Sequence, residues 1–296
     1  MRLGHRHVRA DSGRSHSCLV FMHIPKTAGS TLSTSLMLNY PPRQSIRLDL
    51  IDRPAADIES EIPFEERARA RLLRGHLPYG VHRYIPRSCE YITVLREPVA
   101  RVTSAYKFIL SNPAAFSDHP LHDPEVGGRI GLEGYLETEG GLEGHGNRQT
   151  RLLTGRPSGH LDREVLEEAK RNLETFLVVG LTERFEETFA LMRRALGLRI
   201  PFYVTRLVSA PFEISDHAVD LIRQQNELDL ELYAFGRDLF TRQVARQGQS
   251  FRLEADTYRA MRPLSRFAGA RGTEQFLRRL SHARYSWGRA SQRFVH

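Results

Sequence analysis

Cys18-Leu19-Val20-Phe21-Met22-His23-Ile24-Pro25-Lys26-Thr27-Ala28-Gly29-Ser30-Thr31 joins three kinds of sequence in one short stretch. The apolar run Cys18–Met22 reads as a buried strand. Leu32-Ser33-Thr34-Ser35-Leu36-Met37-Leu38 reads as the start of a helix. Between them lies a tight loop with one lysine and several hydroxyls. A strand, such a loop and a helix start together make an anion cradle, because backbone N–H groups and the positive helix end face the anion and Lys26 adds a full charge. The order Gly-x4-Gly-Lys-Ser/Thr is absent, and the lysine precedes the glycine. An ordinary ATPase or kinase loop is therefore excluded.

A second junction of the same kind follows. Cys89-Glu90-Tyr91-Ile92-Thr93-Val94-Leu95 is rich in β-branched and aromatic residues and reads as another core strand. It leads into Arg96-Glu97-Pro98, where Pro98 suits the first turn of a helix. Arg96 thus falls at the carboxyl end of a strand, where open α/β sheets bind their ligands. Ser104 lies eight residues on, inside the helix, on a face shared with Arg101. Further along, residues 162–175 are amphipathic with Asp162 as N-cap. Phe176–Leu181 is a third strand, Thr182–Met192 begins a helix, and residues 215–226 and 227–246 read as two more. This alternation predicts an α/β fold, a mostly parallel sheet flanked by helices on both faces.

His23–Thr31 resembles the 5′-phosphosulfate loop of sulfotransferases that use 3′-phosphoadenosine 5′-phosphosulfate (PAPS). Arg96-x7-Ser104 resembles their 3′-phosphate motif. The nearest likeness is to the branch of heparan sulfate 2-O-sulfotransferase and bacterial carbohydrate sulfotransferases. What the resemblance implies is a P-loop-NTPase-like three-layer sandwich, with the donor held by Pro25, Lys26, Thr27, Ala28, Gly29, Ser30, Thr31, Arg96 and Ser104, and with no metal. Taken alone, Arg-x7-Ser is common by chance and reads better as a strand-end arginine paired with Glu97 and a helical serine bonded to its own backbone; the two motifs in order carry the resemblance together. Gly75-His76-Leu77-Pro78-Tyr79, after the short apolar strand at Leu72-Leu73, is similar to the family's catalytic histidine segment. His76 would then be the general base, a role worth about 10²–10⁴-fold. Lys26 would stabilise the leaving phosphate of an in-line transfer, the product being 3′-phosphoadenosine 5′-phosphate (PAP). Where the 2-O branch has a second histidine, two residues earlier, this chain has Arg74. His23 is expected to point into the core or orient the loop, and His82 to line the cleft. Asn147-Arg148-Gln149-Thr150-Arg151-Leu152-Leu153 resembles a segment common in the same branch, and Arg148 and Arg151 would suit an acidic acceptor or the sulfonate. A solvated helical face is the alternative for both.

At 296 residues the chain is long enough for one large domain. No stretch reaches the roughly 18 apolar residues of a membrane span, and the basic start lacks an apolar signal region. With two cysteines, expected as buried free thiols, these features place the chain in the cytoplasm, with a basic tail able to meet a membrane surface peripherally. Residues 241–296 hold 12 Arg against Glu254, Asp256 and Glu274, a net of +9 within a total of +8, so the rest of the chain sums to −1. Such a tail could recruit a polyanion or anionic lipid; nothing points to a specific nucleic acid. Organisation reads as an N-terminal extension (1–16), an α/β domain (17–247) with an irregular acceptor-side insertion (112–146), and a basic C-terminal extension (248–296). The functional expectation is sulfuryl transfer from PAPS to a hydroxyl, most simply on a carbohydrate. The alternatives are a lipid, small alcohol, phenol or protein tyrosine acceptor, or a nucleotide-binding protein without catalysis.

Overall fold

The computed structural model describes residues 17–117, 119–122, 127–138, 144–200, 203 and 213–267. In chain order the strands are β1 (Cys18–Met22), β2 (Ser45–Arg47), β3 (Leu72–Gly75), β4 (Cys89–Leu95) and β5 (Val178–Leu181). The helices are α1 (Gly29–Asn39), α2 (Ile58–Glu61), α3 (Phe64–Arg69), α4 (Pro98–Leu110), α5 (Gly127–Glu137), α6 (Arg148–Thr154), α7 (Arg163–Glu174), α8 (Phe185–Leu196), α9 (Asp216–Gln225), α10 (Glu227–Ala245) and α11 (Gln249–Phe267).

All five strands run parallel, in the order β2-β3-β1-β4-β5. Parallel sheets are covered on both faces, so their strands read as continuous apolar runs. Every residue of β1 is buried, as are Val178–Leu181 of β5. Helices flank the sheet, as the alternation of strand and helix predicts. Cys18 and Cys89 are in register on neighbouring strands and are free thiols.

Caps match local chemistry at several ends. Glu97 accepts a hydrogen bond from the Ala100 N–H with Pro98 in the first turn of α4, Asp162 accepts from Val165, and Ser215 accepts from Ala218. Thr182 does not cap α8; its hydroxyl donates to the Leu95 carbonyl.

Two expectations of organisation meet a different structure. The segment 112–146, read as irregular, contributes α5 and a second core in which Leu121, Leu132, Tyr135 and Leu136 pack with Val102, Tyr106, Ile109, Ala218 and Ile222. Its Gly and Pro content hides the i, i+3, i+4 spacing of Leu132, Tyr135 and Leu136. The packed body also runs past residue 247. Phe251, Ala255 and Tyr258 on α11 are buried, and Glu254 accepts from Arg193 (2.8 Å) and Arg194 (2.7 Å) of α8. Net charge is blind to that helical stripe. Residues 1–16 and 268–296, the remainder of the two expected extensions, lie outside the described residues. Among the described residues, no helix is long and apolar enough to cross a membrane.

Candidate active site

Sheet order builds the site. β1 is central, with Met22 opposite Gly75 of β3 and Thr93 of β4. The three segments leaving these strands therefore emerge side by side at the carboxyl edge: the Lys26 loop after β1, His76 after β3 and Arg96 after β4. Two hydrogen bonds lock the edge, from the His23 N–H to the Gly75 carbonyl (2.9 Å) and from the Thr93 hydroxyl to the Met22 carbonyl (2.8 Å).

The loop after β1 is turned twice by left-handed residues that are not glycine, Lys26 (φ 70°) and Ala28 (φ 62°). Such conformations cost about 1–3 kcal/mol each and cluster at ligand clamps. Ala28 precedes α1, which has neither a side-chain cap nor an acidic residue in its first turn. The positive end of an 11-residue helix is thus left for an anion. Gly29 has a steric reason: a Cβ there would overlap the His23 imidazole. The Thr27 hydroxyl closes the loop by donating to the Ile24 carbonyl (2.8 Å), so its side chain serves the loop's shape.

Lys26 and Arg96 meet across this loop. The Arg96 guanidinium donates to the Lys26 carbonyl (2.9 Å), and the Lys26 Nζ lies 3.7 Å from the centre of the Phe108 ring. Burial and the neighbouring Arg96 bring the Lys26 pKa down to about 8, and burial also lowers that of Arg96. Lys26 and Arg96, two partly buried cations, stand beside an uncapped helix end, with Glu97 and Glu183 near Arg96 alone. Ser104 stands on α4, nearly buried. These residues fit a phosphosulfate and a second phosphate, with Lys26, Arg96 and the first turn of α1 as the donor set.

His76 is held from two sides. Its Nδ1 lies 2.8 Å from Oδ2 of Asp49, and its ring packs on that of His23 at 4.5 Å between centres. His23 is half-buried, and loss of solvation followed by the neighbouring His76 pushes its pKa well down, favouring a neutral imidazole. At Asp49, burial raises the carboxyl pKa, but the hydrogen bond and charge of His76 outweigh it and hold the group below its usual range. Gly75 makes this approach possible. It has φ +144°, and a Cβ there would overlap the Leu48 carbonyl. Arg74, in the position of the absent second histidine, donates to the Ser33 hydroxyl (2.7 Å).

The three acceptor-side expectations fare differently. Arg148 forms a two-pronged pair with Asp52, one prong at 3.0 Å. Arg151 donates to the Gly159 carbonyl (2.9 Å). His82 bonds through Nδ1 to the Tyr91 hydroxyl (3.0 Å), four positions before the end of β4, so it is drawn down the sheet and away from the edge. Sequence reasoning missed the neighbours of these residues. Buried Gln149 accepts from the Arg96 N–H (3.1 Å) and donates to the Arg96 carbonyl (3.0 Å), fixing the backbone at the end of β4. Asp229, also buried, accepts from the N–H groups of Gln149 and Thr150 and from the Thr150 hydroxyl. Asp49 was likewise missed; its only signal was a carboxylate in a polar stretch between two strands.

No family model matches the chain. Curated relatives do. Human heparan-sulfate 6-O-sulfotransferase 1 is 27% identical over 197 residues, covering 57% of this chain and 47% of the relative. Zebrafish (Danio rerio) heparan-sulfate 6-O-sulfotransferase 3-B is 28% identical over 182 residues, 52% of this chain and 43% of its own. Human galactose-3-O-sulfotransferase 3 is 26% identical over 269 residues, 79% and 59% respectively. The chain spans about half the length of the heparan-sulfate relatives it matches. All are named as carbohydrate sulfotransferases, in keeping with the resemblance carried by the two phosphate motifs; the names are 6-O and 3-O where the motifs resembled the 2-O branch.

Proposed function

We propose that this protein transfers a sulfuryl group from PAPS to a hydroxyl of a carbohydrate. The observation that carries the reading is the convergence of Lys26, His76 and Arg96 on one edge of three adjacent strands. The uncapped start of α1 and Lys26 would hold the 5′-phosphosulfate, with Pro25, Thr27, Ala28, Gly29, Ser30 and Thr31 shaping the loop. Arg96 and Ser104 would take the 3′-phosphate. PAPS supplies the sulfuryl group; the protein's own residues place the hydroxyl and manage the charges. His76 takes the acceptor proton at Nε2, because Nδ1 is engaged by Asp49. The acceptor oxygen then bonds to sulfur as the bond from sulfur to the phosphate oxygen breaks, and Lys26 stabilises the negative charge left on that oxygen. Arg148, if released from Asp52, would meet an acidic sugar.

A reducing, cytoplasmic setting belongs to the same proposal and suits the free thiols of Cys18 and Cys89. Contact of the basic tail with a polyanion or anionic lipid is a further part of it. Radiolabelled sulfate transfer from PAPS to a panel of glycosaminoglycan precursors, galactose-terminated glycans, phenols and a tyrosine peptide tests the reading. Label is expected on saccharides and lost in His76→Ala. Label confined to phenols or peptide would refute the carbohydrate acceptor, and no label on any member would refute transfer itself.

A further inference from the structure

We propose that Asp49 is a positioning residue for His76: it keeps the imidazole proton on Nδ1 and so leaves Nε2 as the atom that receives the acceptor's proton. The proposal rests on the sulfotransferase reading and adds to it a residue that no motif marks.

Asp49 is fixed by its surroundings. The chain after β2 continues alongside the end of β3, with the Leu48 N–H donating to the Arg74 carbonyl (3.1 Å) and the Leu50 N–H to the His76 carbonyl (2.8 Å). Leu50 is fully buried and anchors the segment. Asp49 sits between these two anchors, opposite His76. Both of its carboxylate oxygens are used: Oδ1 accepts from the Ile51 N–H (3.2 Å) and Oδ2 faces His76 Nδ1 (2.8 Å). The carboxylate cannot rotate without losing both bonds, and an ionised carboxylate only accepts. The proton shared with His76 therefore belongs to Nδ1.

A purely structural role explains this arrangement poorly. The Asp49 side chain is 58% exposed, and exposed ion pairs contribute little to stability. Around the pair, the His23 ring packs on that of His76, Arg47 of β2 acts on both Asp49 and His23, and Lys26 of the loop acts on His23; Arg74 of β3 is bonded to Ser33. The His23 ring packs against the His76 ring at a tilt of 40°, and Asp49 supplies the compensating negative charge when His76 becomes imidazolium.

The existing bond from Ile51 makes Asp49→Asn a directed test. The amide oxygen would keep the Ile51 N–H, turning the NH2 group toward His76. That group donates, so Nδ1 must become an acceptor and the proton moves to Nε2. Asp49→Ala removes the partner and leaves both tautomers populated. Long-range ¹⁵N–¹H spectra of the histidine rings, assigned with His76→Asn, read the tautomer directly. The wild type is expected to show Nδ1–H at His76, Asp49→Asn to show Nε2–H, and Asp49→Ala a mixture. In turnover, kcat of Asp49→Asn is expected to fall by roughly 10²-fold or more while KM for PAPS changes less than about twofold. An unchanged His76 tautomer in Asp49→Asn would overturn the proposal. Since the spectra need no turnover, an inactive wild type showing the expected tautomers would count against the transfer reading alone.

Discussion

Lys26 carries its charge in a place that disfavours it. Burial and Arg96 lower its pKa to about 8, and bound phosphate oxygens would raise it again. Between those two values, binding must protonate the lysine. PAP affinity should therefore fall as pH rises above about 8, with uptake approaching one proton per site. Calorimetry in buffers of different ionisation enthalpy measures this uptake, and Lys26→Ala should abolish it. Constant affinity from pH 7 to 9.5 would contradict the placement of Lys26 on the phosphate. Gly75 offers a second test. Alanine there meets both a positive φ and the Leu48 carbonyl, so Gly75→Ala should lower stability by more than about 2 kcal/mol in urea unfolding. The same substitution should move Asp49 off His76. The motif Gly75-His76 was legible in the sequence, but its reason was not: the Leu48 carbonyl arrives from the chain just after β2.

The element that most repays attention is α6. Sequence drew notice to Asn147–Leu153 and then favoured its arginines on charge. The structure instead gives its short, buried polar residues the work of joining elements. Gln149 stands in for a strand at the end of β4, and Asp229 satisfies the first N–H groups of the helix. Asp229 lies 80 residues beyond Gln149, so no local pattern could have paired them. Below them, Arg101 is fully buried and donates to the His145 carbonyl (2.6 Å) and to Asn226 (3.5 Å), and burial lowers its pKa to about 10. Asp229→Ala would leave buried donors unpaired and should cost roughly 2–4 kcal/mol. Gln149→Ala should fold, yet weaken PAP binding several-fold by loosening Arg96, which calorimetry against the wild type checks.

At the scale of the whole molecule, the sheet was readable because strands buried on both faces leave apolar runs. β1, β4 and β5 announced themselves in this way. β2 did not: Ser45-Ile46-Arg47 is short, polar and at the sheet edge, and the residue it delivers, Asp49, went unread with it. At the C-terminal end charge marks an extension, while Phe251 and Tyr258, aromatic residues that argue against disorder, are buried on α11. Removing residues 248–296 takes away the buried Phe251 and Tyr258 and uncovers α8, and should cost roughly 4 kcal/mol. A thermal midpoint unchanged by that truncation would show α11 to be dispensable.

The central claim is that the cradle after β1 and the arginine after β4 together bind a nucleotide bearing a 3′-phosphate. Calorimetric titration of PAP into wild type, Lys26→Ala and Arg96→Ala, with ATP and AMP as controls, tests it most directly. Micromolar binding that depends on the 3′-phosphate and collapses in Arg96→Ala is the predicted result. Equal or tighter binding of ATP would contradict it and leave the site a general phosphate cradle.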